Sequence, residues 1–200
     1  IAEDSGSITL CPTGPLTNIA VAMIRAPEIV PRIREIVLMG GAAINPGNVT
    51  PAAEFNIYVD PHAAHVVFAS GVPLVMMGLD VTHQVLVTAE RIDALRTAGG
   101  QVSAAVADLM MFYCRFDLDK YRMEGGPLHD PCVIAYLIDR TLFDLKHVNV
   151  EIETNADLTL GQTVADWWKV TDRVPNCHVA YQADDARFFE LLNNRLARLP

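Results

Sequence analysis

The sequence lacks the long apolar run that a membrane-spanning helix requires. Its longest apolar stretches, 36–39 and 72–79, fall far short of the ~20 residues that cross a bilayer. Basic residues are also few: 15 stand against 24 acidic ones, for a formal charge of -9, and they form no run. Because a nucleic-acid backbone is bound mainly through basic side chains, we expect neither a membrane nor a nucleic-acid polymer as a partner.

Cysteine is scarce, and the residues of this type form no paired motif. With 200 residues, of which 51% are hydrophobic, the chain can build a core without disulfides. The first residues are acidic and carry no basic, apolar secretory signal. These features predict reduced thiols in a soluble, cytoplasmic protein. The four cysteines are Cys11, Cys114, Cys132 and Cys177.

Several motifs of well-known chemistry are missing as well. The sequence contains no G-x-G-x-x-G fingerprint and no phosphate-binding G-x-x-x-x-G-K-[ST] loop. It also contains no G-x-S-x-G turn of the kind that presents a nucleophilic serine. Nucleotide phosphate binding and acyl transfer through such a serine therefore have no support.

What the sequence does contain is an alternation of short apolar strands and longer helical patterns. Strands that are apolar throughout predict a parallel sheet covered on both faces. We predict one α/β domain over residues 1–200, with an open, mostly parallel sheet and helices on both faces. The predicted strands are 7–11, 34–39, 72–77, 148–153 and 177–181, and the predicted helices are 16–24, 60–68 (with Asp60 as N-cap), 88–95, 102–115, 128–138 and 184–196.

The loop 45–56 concentrates polar side chains just beyond a predicted strand end, where ligands of parallel sheets bind. Asn48, Glu54 and Asn56 lie here beside the apolar Phe55. Amide and carboxylate groups at this density suit a polyhydroxy ligand, because each hydroxyl both donates and accepts hydrogen bonds. The alternative is an ordered loop in which the same side chains cap turns and the following helix. The spacing alone leaves both open.

A second cluster follows two glycines, where His129 and Asp130 stand side by side before Pro131. A residue that precedes proline favours an extended backbone, which would present the Asp130 carboxylate outwards. That carboxylate suits a hard cation, and the histidine suits general acid catalysis near neutral pH. Alternatively, Asp130 caps the helix and His129 is an ordinary surface residue.

Taken together and in this order, four segments resemble the inosine–uridine preferring nucleoside hydrolases, and among them the bacterial pyrimidine-preferring ribonucleoside hydrolases most. The resemblance covers essentially the whole chain. The four segments are T-G-P-L-T-N (13–18), V-L-M-G-G (37–41), N-V-T-P-A-A-E-F-N (48–56, followed by Asp60 and Pro61) and P-L-H-D-P (127–131).

The resemblance implies the nucleoside hydrolase fold and a Ca²⁺-dependent hydrolysis of ribonucleosides, preferably pyrimidine ones, to ribose and free base. It implies that Asp130 and the backbone carbonyl of Thr13 bind the Ca²⁺, and that His129 assists the leaving base. It also implies a homo-oligomer, a dimer or a tetramer. The residues that it implies as substrate-binding are Met39, Asn48, Glu54, Phe55, Asn56 and Tyr121.

One departure from the family is large. The motif D-x-D-P-G-x-D-D, which supplies most calcium carboxylates and the general base in the family, does not occur in the sequence. Asp130 and Thr13 alone fall short of the roughly 6–8 oxygens that Ca²⁺ takes. We therefore expect the chain to correspond to the C-terminal two-thirds of such an enzyme, and to turn over nucleosides inefficiently on its own.

Two other functions remain as alternatives. The chain could be a catalytically incomplete module that binds ribose or nucleosides without a metal. It could also be a metal-independent sugar hydrolase that uses Glu54 and Asp130 as a carboxylate pair, whose activity would survive a chelator. The hydrolase hypothesis requires that Asp130 and the loop around Glu54 face one sugar-sized hollow.

Overall fold

The structure is a computed structural model that describes residues 6–121 and 124–199, with the side chains of 116–121 left aside. In this part of the chain the strands are β1 (Thr9–Leu10), β2 (Glu35–Met39), β3 (Leu74–Met77), β4 (Leu86–Val87), β5 (Gly126–Pro127), β6 (Phe143–Val148), β7 (Val150–Ile152), β8 (Thr163–Ala165) and β9 (Cys177–Ala183). The helices are α1 (Thr17–Arg25), α2 (Phe55–Tyr58), α3 (Pro61–Phe68), α4 (Leu79–Thr82), α5 (Ala89–Ala98), α6 (Gln101–Tyr121), α7 (Pro131–Ile138) and α8 (Asp185–Leu196), with 3₁₀ turns at Pro27–Arg32 and Arg140–Leu142.

The chain divides into two compact units, each described here by itself. The first unit comprises Ile1–Val81 and Asp144–Tyr181, and the second comprises Thr82–Phe143 and Gln182–Pro200. The main sheet has the strand order β1-β2-β3-β9-β6, and the pairs β1–β2, β2–β3 and β3–β9 are parallel. The predicted α/β class with a mostly parallel sheet is therefore confirmed.

The core of the first unit explains why its central strands are apolar at every position. All five residues of β2 and all four of β3 are buried. Ile36 and Leu38 share one core cluster with residues of α1 and α3, whereas Val37, on the opposite face of β2, is also completely buried. A strand buried on both faces cannot alternate apolar and polar residues, which is the pattern that the sequence shows.

The second unit is mainly helical. α5 and α6 pack against each other, and β4 and β5 form a short antiparallel ribbon in which Leu86 pairs with Pro127 and Val87 with Gly126. Arg91 of α5 forms an ion pair with Asp185 at the start of α8, and its guanidinium lies 4.1 Å from the ring centre of Phe189.

Most predicted elements are present, but several bounds differ. The helix predicted over 128–138 begins only at Pro131, because the N–H of Leu128 bonds to the carbonyl of Val85, directly after β5 pairs with β4. The extended segment predicted over 148–153 corresponds to β7, Val150–Ile152, whereas β6, Phe143–Val148, was not predicted. α6 extends past the predicted end at 115 to Tyr121. The short elements α2, α4, β4, β5 and β8 carry no periodic signal and were not predicted.

No helix among the described residues is long and apolar enough to cross a membrane. The assignment of the whole chain to one domain stays a prediction.

Substitution of Asp60 measures how much its N-cap contributes to the stability of the fold. Its carboxylate accepts the backbone N–H of Ala63 at 3.0 Å, as the predicted N-cap of α3, and the hydroxyl of Thr17 at 2.7 Å. Both bonds lower the pKa of Asp60. We expect Asp60→Ala to lower the free energy of unfolding by about 1 kcal/mol at neutral pH, measured by urea denaturation.

Asp60→Asn is the matched control, because asparagine is also a good N-cap but has no charge. The pKa of Asp60 is lower in the folded state than in the unfolded state. Its charge therefore stabilises the fold fully above the unfolded-state pKa, and this stabilisation is lost as the pH falls through the folded-state pKa. The difference in stability between the wild type and Asp60→Asn should therefore vanish in acid. A difference that grows on acidification would contradict this explanation.

Candidate functional site

The first group of predicted site residues is organised around the buried carboxylate of Glu54. This side chain is 3% exposed and stands at the N-cap position of α2. Its two oxygens each lie 3.0 Å from the backbone nitrogen of Asn56, and Oε2 also accepts the N–H of Gly41 at 2.9 Å. Glu54 thus connects the start of α2 to the chain that leaves β2.

Asn56 and Asn48 extend this group. The Asn56 side-chain amide donates to the carbonyl of Met39 at 3.0 Å, and its nitrogen lies 3.3 Å from the Met39 sulfur. The Asn48 side-chain oxygen accepts the backbone N–H of Phe55 at 3.0 Å. Asn48 and Phe55 are exposed, whereas Met39 and Asn56 are buried. The structure therefore brings together five of the residues that the sequence singled out.

Both interpretations of the loop 45–56 find support in these contacts. Glu54 and Asn48 bond to nearby backbone N–H groups, as the capping alternative expects. In the described part of the chain, however, no residue bonds to the side-chain oxygen of Asn56 or to the side-chain nitrogen of Asn48. These groups can therefore bond to a ligand, and the sugar-binding role of the loop stays a prediction.

A tight turn carries Asn48. The N–H groups of Asn48, Val49 and Thr50 all point at the carbonyl of Ala53, at 3.2 to 3.4 Å, and the Thr50 hydroxyl accepts the N–H of Ala53 at 2.9 Å. A Cβ atom on Gly47 would lie only 2.2 to 2.4 Å from backbone atoms of Ala53 and Thr50. Only glycine fits at this position, so the geometry of the turn depends on it.

The second group lies in the other unit and is organised around His129. This half-buried residue follows β5, and its Nδ1 lies 2.8 Å from the hydroxyl of Thr82, which is completely buried. The ring of His83 packs beside it, with ring centres 5.8 Å apart. The N–H of Leu128 donates to the carbonyl of Val85 at 2.9 Å, which fixes the backbone just before the histidine.

The contact with Thr82 defines the tautomer of His129. Among the described residues, the Thr82 hydroxyl has no acceptor other than this ring nitrogen, and a buried hydroxyl proton without an acceptor is costly. The hydroxyl therefore donates to Nδ1, which leaves the proton of the neutral ring on Nε2. Burial, together with the neighbouring His83, lowers the pKa of His129 to about 4. At neutral pH the side chain is thus an uncharged donor through Nε2–H.

Asp130 differs from both expectations for it. Its backbone is helical, with φ -64° and ψ -39°, rather than extended as Pro131 led us to expect, because the residue already belongs to the first turn of α7. It occupies the N-cap position, yet its side chain makes no capping hydrogen bond. The carboxylate is exposed, and partial burial of its surroundings raises its pKa. The simple capping role is therefore excluded.

The described residues do not by themselves form a complete metal site. None of them form a group of three or more His, Cys, Asp or Glu side chains that could hold an ion. Thr13 is exposed, and within the described range nothing donates to its carbonyl, so that oxygen and the Asp130 carboxylate are suitable hard donors. Two donors are too few for Ca²⁺, which takes roughly 6–8 oxygens.

The remaining expectations are not settled by these contacts. The side chain of Tyr121 lies outside the described residues. Thr13 and the group around Glu54 belong to the first unit, and His129 and Asp130 belong to the second. Because each unit is described by itself, the common hollow expected for Asp130 and the loop stays a prediction.

Two functional candidates, Thr82 and Thr163, escaped the sequence analysis, and the sequence indicated a third, Asp80, only by its place after a strand. Thr82 contacts His129, 47 positions away in the sequence, and Thr163 bonds to Ala42 across 121 positions. Asp80 accepts backbone N–H groups 35 to 37 residues earlier. Asp80 follows a predicted strand end, which is a weak signal, and no pattern in the sequence indicates the two threonines.

A groove of about 620 Å³ in the first unit lies away from the group around Glu54. Its lining includes Ile33, Val72 and Pro73, which precede β2 and β3, so it lies at the amino ends of the strands. The group around Glu54 stands beyond the carboxyl end of β2. The groove is lined mainly by apolar side chains and offers little to a polyhydroxy ligand.

The fold agrees with what comparisons with known proteins show. The family model described as inosine-uridine preferring nucleoside hydrolase matches residues 1–190. This chain belongs to that family.

Individual relatives give the same result. The chain is 47% identical over 198 residues to the pyrimidine-specific ribonucleoside hydrolase RihA of a Shewanella species, covering 98% of this chain and 62% of the relative. An uncharacterized protein of Schizosaccharomyces pombe is 46% identical, with 99% and 64% covered. Among solved structures, the purine-preferring ribonucleoside hydrolase from Gardnerella vaginalis matches with a TM-score of 0.88 at 36% identity, covering 98% of this chain and 62% of that one. The chain thus spans less than two thirds of the length of these proteins.

Gly47 offers a direct test of the turn that carries Asn48. We expect Gly47→Ala to lower the free energy of unfolding by roughly 1–3 kcal/mol, because its Cβ would overlap backbone atoms that cannot move separately. Urea denaturation measures the change. Gly14→Ala is the control, since a Cβ at Gly14 meets nothing within 4 Å. Equal stabilities of the two variants would show that the turn is not packed as described.

Proposed function

We propose that this protein hydrolyses the N-glycosidic bond of ribonucleosides, releasing ribose and the free base, with pyrimidine nucleosides preferred and Ca²⁺ required. The observation that carries the proposal is the network that joins Met39, Asn48, Glu54 and Asn56 beyond the carboxyl end of β2. Membership in the nucleoside hydrolase family supports the reaction class. The family is generally metal-dependent, which supports the need for a cation.

The sugar would be recognised by amide groups on this network. The side-chain oxygen of Asn56 and the side-chain nitrogen of Asn48 supply one acceptor and one donor, which is what a pair of vicinal hydroxyls requires. Both side chains are already fixed by a hydrogen bond: the side-chain nitrogen of Asn56 donates to the carbonyl of Met39, and the side-chain oxygen of Asn48 accepts the N–H of Phe55. A fixed side chain loses little conformational entropy on binding, so the site is organised before the ligand arrives.

His129 would act on the base as a neutral hydrogen-bond donor. Bond cleavage leaves positive charge on the ribosyl group and negative charge on the departing base, as in other glycosyl transfers. A donor aimed at the base stabilises that negative charge. With its pKa lowered to about 4, the free protein holds His129 uncharged at neutral pH, so polarisation through Nε2–H fits better than transfer from an imidazolium.

The role of the metal rests on donor chemistry. An exposed carboxylate that caps nothing, Asp130, and the Thr13 carbonyl are oxygen donors of the type that Ca²⁺ prefers. A bound cation of this kind orients and acidifies a water molecule. The described residues do not complete its coordination, so we assign no step to it.

The proposal is tested by incubating the protein with uridine in Ca²⁺ or in chelator and measuring released uracil and ribose. We expect slow release that depends on Ca²⁺, because the described residues supply only two donors to the ion. Asp130→Asn should reduce the release at least tenfold, because the loss of a carboxylate ligand weakens Ca²⁺ binding. Release unaffected by chelator would contradict the metal requirement and favour a hydrolase that uses Glu54 and Asp130 as a carboxylate pair.

Base preference is tested in the same assay with inosine in place of uridine. The pyrimidine-specific relative is 47% identical and the purine-preferring one 36%, which favours uridine. A higher kcat/KM for inosine would overturn the preference and leave the reaction class intact.

Thr82 provides a test of the tautomer of His129. Thr82→Val keeps the shape of the side chain but removes the hydroxyl that donates to Nδ1. Without this hydroxyl the proton of the His129 ring is no longer held on Nε2. We expect kcat for uridine to fall roughly ten- to hundredfold, since assistance to the leaving group typically accelerates such reactions ~10²–10⁴-fold. KM should change little. A nitrophenyl riboside, whose leaving group needs no such donor, should be affected much less.

Thr82→Ser is the matched control and should retain most of the rate, because serine keeps the hydroxyl. A loss in Thr82→Val that is equal for uridine and for the nitrophenyl riboside would contradict the role of His129 at the base.

A second candidate function is nucleoside binding without turnover. The small number of metal donors among the described residues favours it. Calorimetric titration with uridine distinguishes the two: binding that is indifferent to chelator, with no release of uracil, supports a binding module, whereas Ca²⁺-dependent release supports the hydrolase.

A further inference from the structure

The chain that leaves β2 is held in an unusual way. Five consecutive backbone N–H groups, from Gly41 to Asn45, bond to side chains instead of to a neighbouring strand. We refer to residues 41–45 as the tethered segment. It connects Met39, at the end of β2, with the turn that carries Asn48, and therefore lies between two parts of the proposed sugar site.

Three side chains supply all the acceptors. Glu54 accepts the N–H of Gly41 at 2.9 Å, and the hydroxyl of Thr163 accepts the N–H of Ala42 at 2.8 Å. The carboxylate of Asp80 accepts the next three, with distances of 2.7, 2.8 and 2.7 Å. Asp80 and Thr163 are 7% and 2% exposed, so water competes little for these bonds.

Thr163 makes the most complete contact. Besides accepting the N–H of Ala42, its hydroxyl donates to the carbonyl of the same residue at 2.7 Å. One side chain on β8 thus bonds to both polar groups of one residue in the tethered segment. The packing here is close as well: Gly41 has φ +82°, and a Cβ on it would lie 2.8 Å from Cγ2 of Thr163 and from the sulfur of Met76.

We propose that Asp80 and Thr163 are positioning residues, which hold the tethered segment so that Glu54 and Asn48 keep the geometry needed to bind a ribose. The inference rests on the proposed function, since it names residues that support the same site. Neither residue contacts the sugar in this proposal. Their effect passes through the backbone of residues 41–45, at whose two ends the sugar-binding side chains are attached.

Thr163→Val tests the proposal with the smallest change of shape. Valine fills the same volume but leaves the N–H and the carbonyl of Ala42 without partners. We expect amide hydrogen exchange at residues 41–45 to accelerate roughly ten- to hundredfold, because the polar groups of Ala42 lose their partner and the segment opens more easily. For uridine we expect KM to rise about tenfold or more, with a much smaller change in kcat.

Two further variants are the controls. Thr163→Ser keeps the hydroxyl and should restore both the slow exchange and the low KM. Thr97→Val makes the same chemical change at an exposed threonine of α5, whose hydroxyl donates to the carbonyl of Asp93 at 2.8 Å, and should alter neither. Urea denaturation of each variant shows whether a change in KM follows from partial unfolding.

Asp80→Asn provides a second route, since it replaces one acceptor oxygen by a donor and should accelerate exchange at residues 43–45 in particular. Faster exchange with an unchanged KM in folded Thr163→Val and Asp80→Asn would overturn the proposal and leave a purely structural role. Unchanged exchange would overturn it as well.

The proposal and the hydrolase activity can fail separately. If the wild type binds uridine without cleaving it, the proposed function fails, and the dissociation constant from calorimetry replaces KM in the comparison. If the wild type does not bind uridine at all, both fail.

Discussion

Backbone N–H groups beyond the end of a β-strand need acceptors, and in this protein that requirement shapes the whole region around β2. Once the ladder to the neighbouring strands ends, the chain from Gly41 to Asn45 bonds to oxygen atoms of Glu54, Thr163 and Asp80. An N–H group buried without a partner costs free energy comparable to that of a lost hydrogen bond. Satisfying these groups fixes the path of the loop that follows, and with it Asn48 and Phe55.

The second unit uses the same principle on a smaller scale. The completely buried hydroxyl of Thr82 finds its acceptor in the ring of His129, and this single contact determines which ring nitrogen carries the proton. Burial then keeps the ring uncharged at neutral pH. Structure and protonation are coupled here, because the bond that satisfies a buried hydroxyl also leaves a neutral N–H donor on the other ring nitrogen.

The sequence correctly predicted the features that depend only on neighbouring residues. Asp60 caps the helix that it was expected to cap, because an N-cap depends only on the next three residues. The central strands were found because burial on both faces leaves an uninterrupted apolar run. The group around Glu54 was also foreseen, since its members lie within one short stretch of the chain beyond a strand end.

The parts that were missed depend on distant partners. Residues 128–130 were assigned to a helix, but the N–H of Leu128 bonds to the carbonyl of Val85, some 40 positions earlier, directly after the ribbon of β4 and β5. Asp80 and Thr163 carry no motif, and their importance follows only from the bonds that they make to residues 42–45. The backbone of Asp130 was expected to be extended, yet the helix beginning at the next residue outweighs the preference set by proline. Single-sequence patterns contain no information on such pairings.

The several roles of Glu54 affect how mutational data on this enzyme family should be interpreted. The same carboxylate begins α2, anchors Gly41 and belongs to the residues proposed to hold the sugar. A substitution there disturbs local architecture and recognition at once, so a loss of activity cannot be divided between the two. Selection faces the same constraint: it cannot change affinity at this position without also rebuilding the local structure, so changes in specificity should accumulate at the exposed side chain of Phe55 instead.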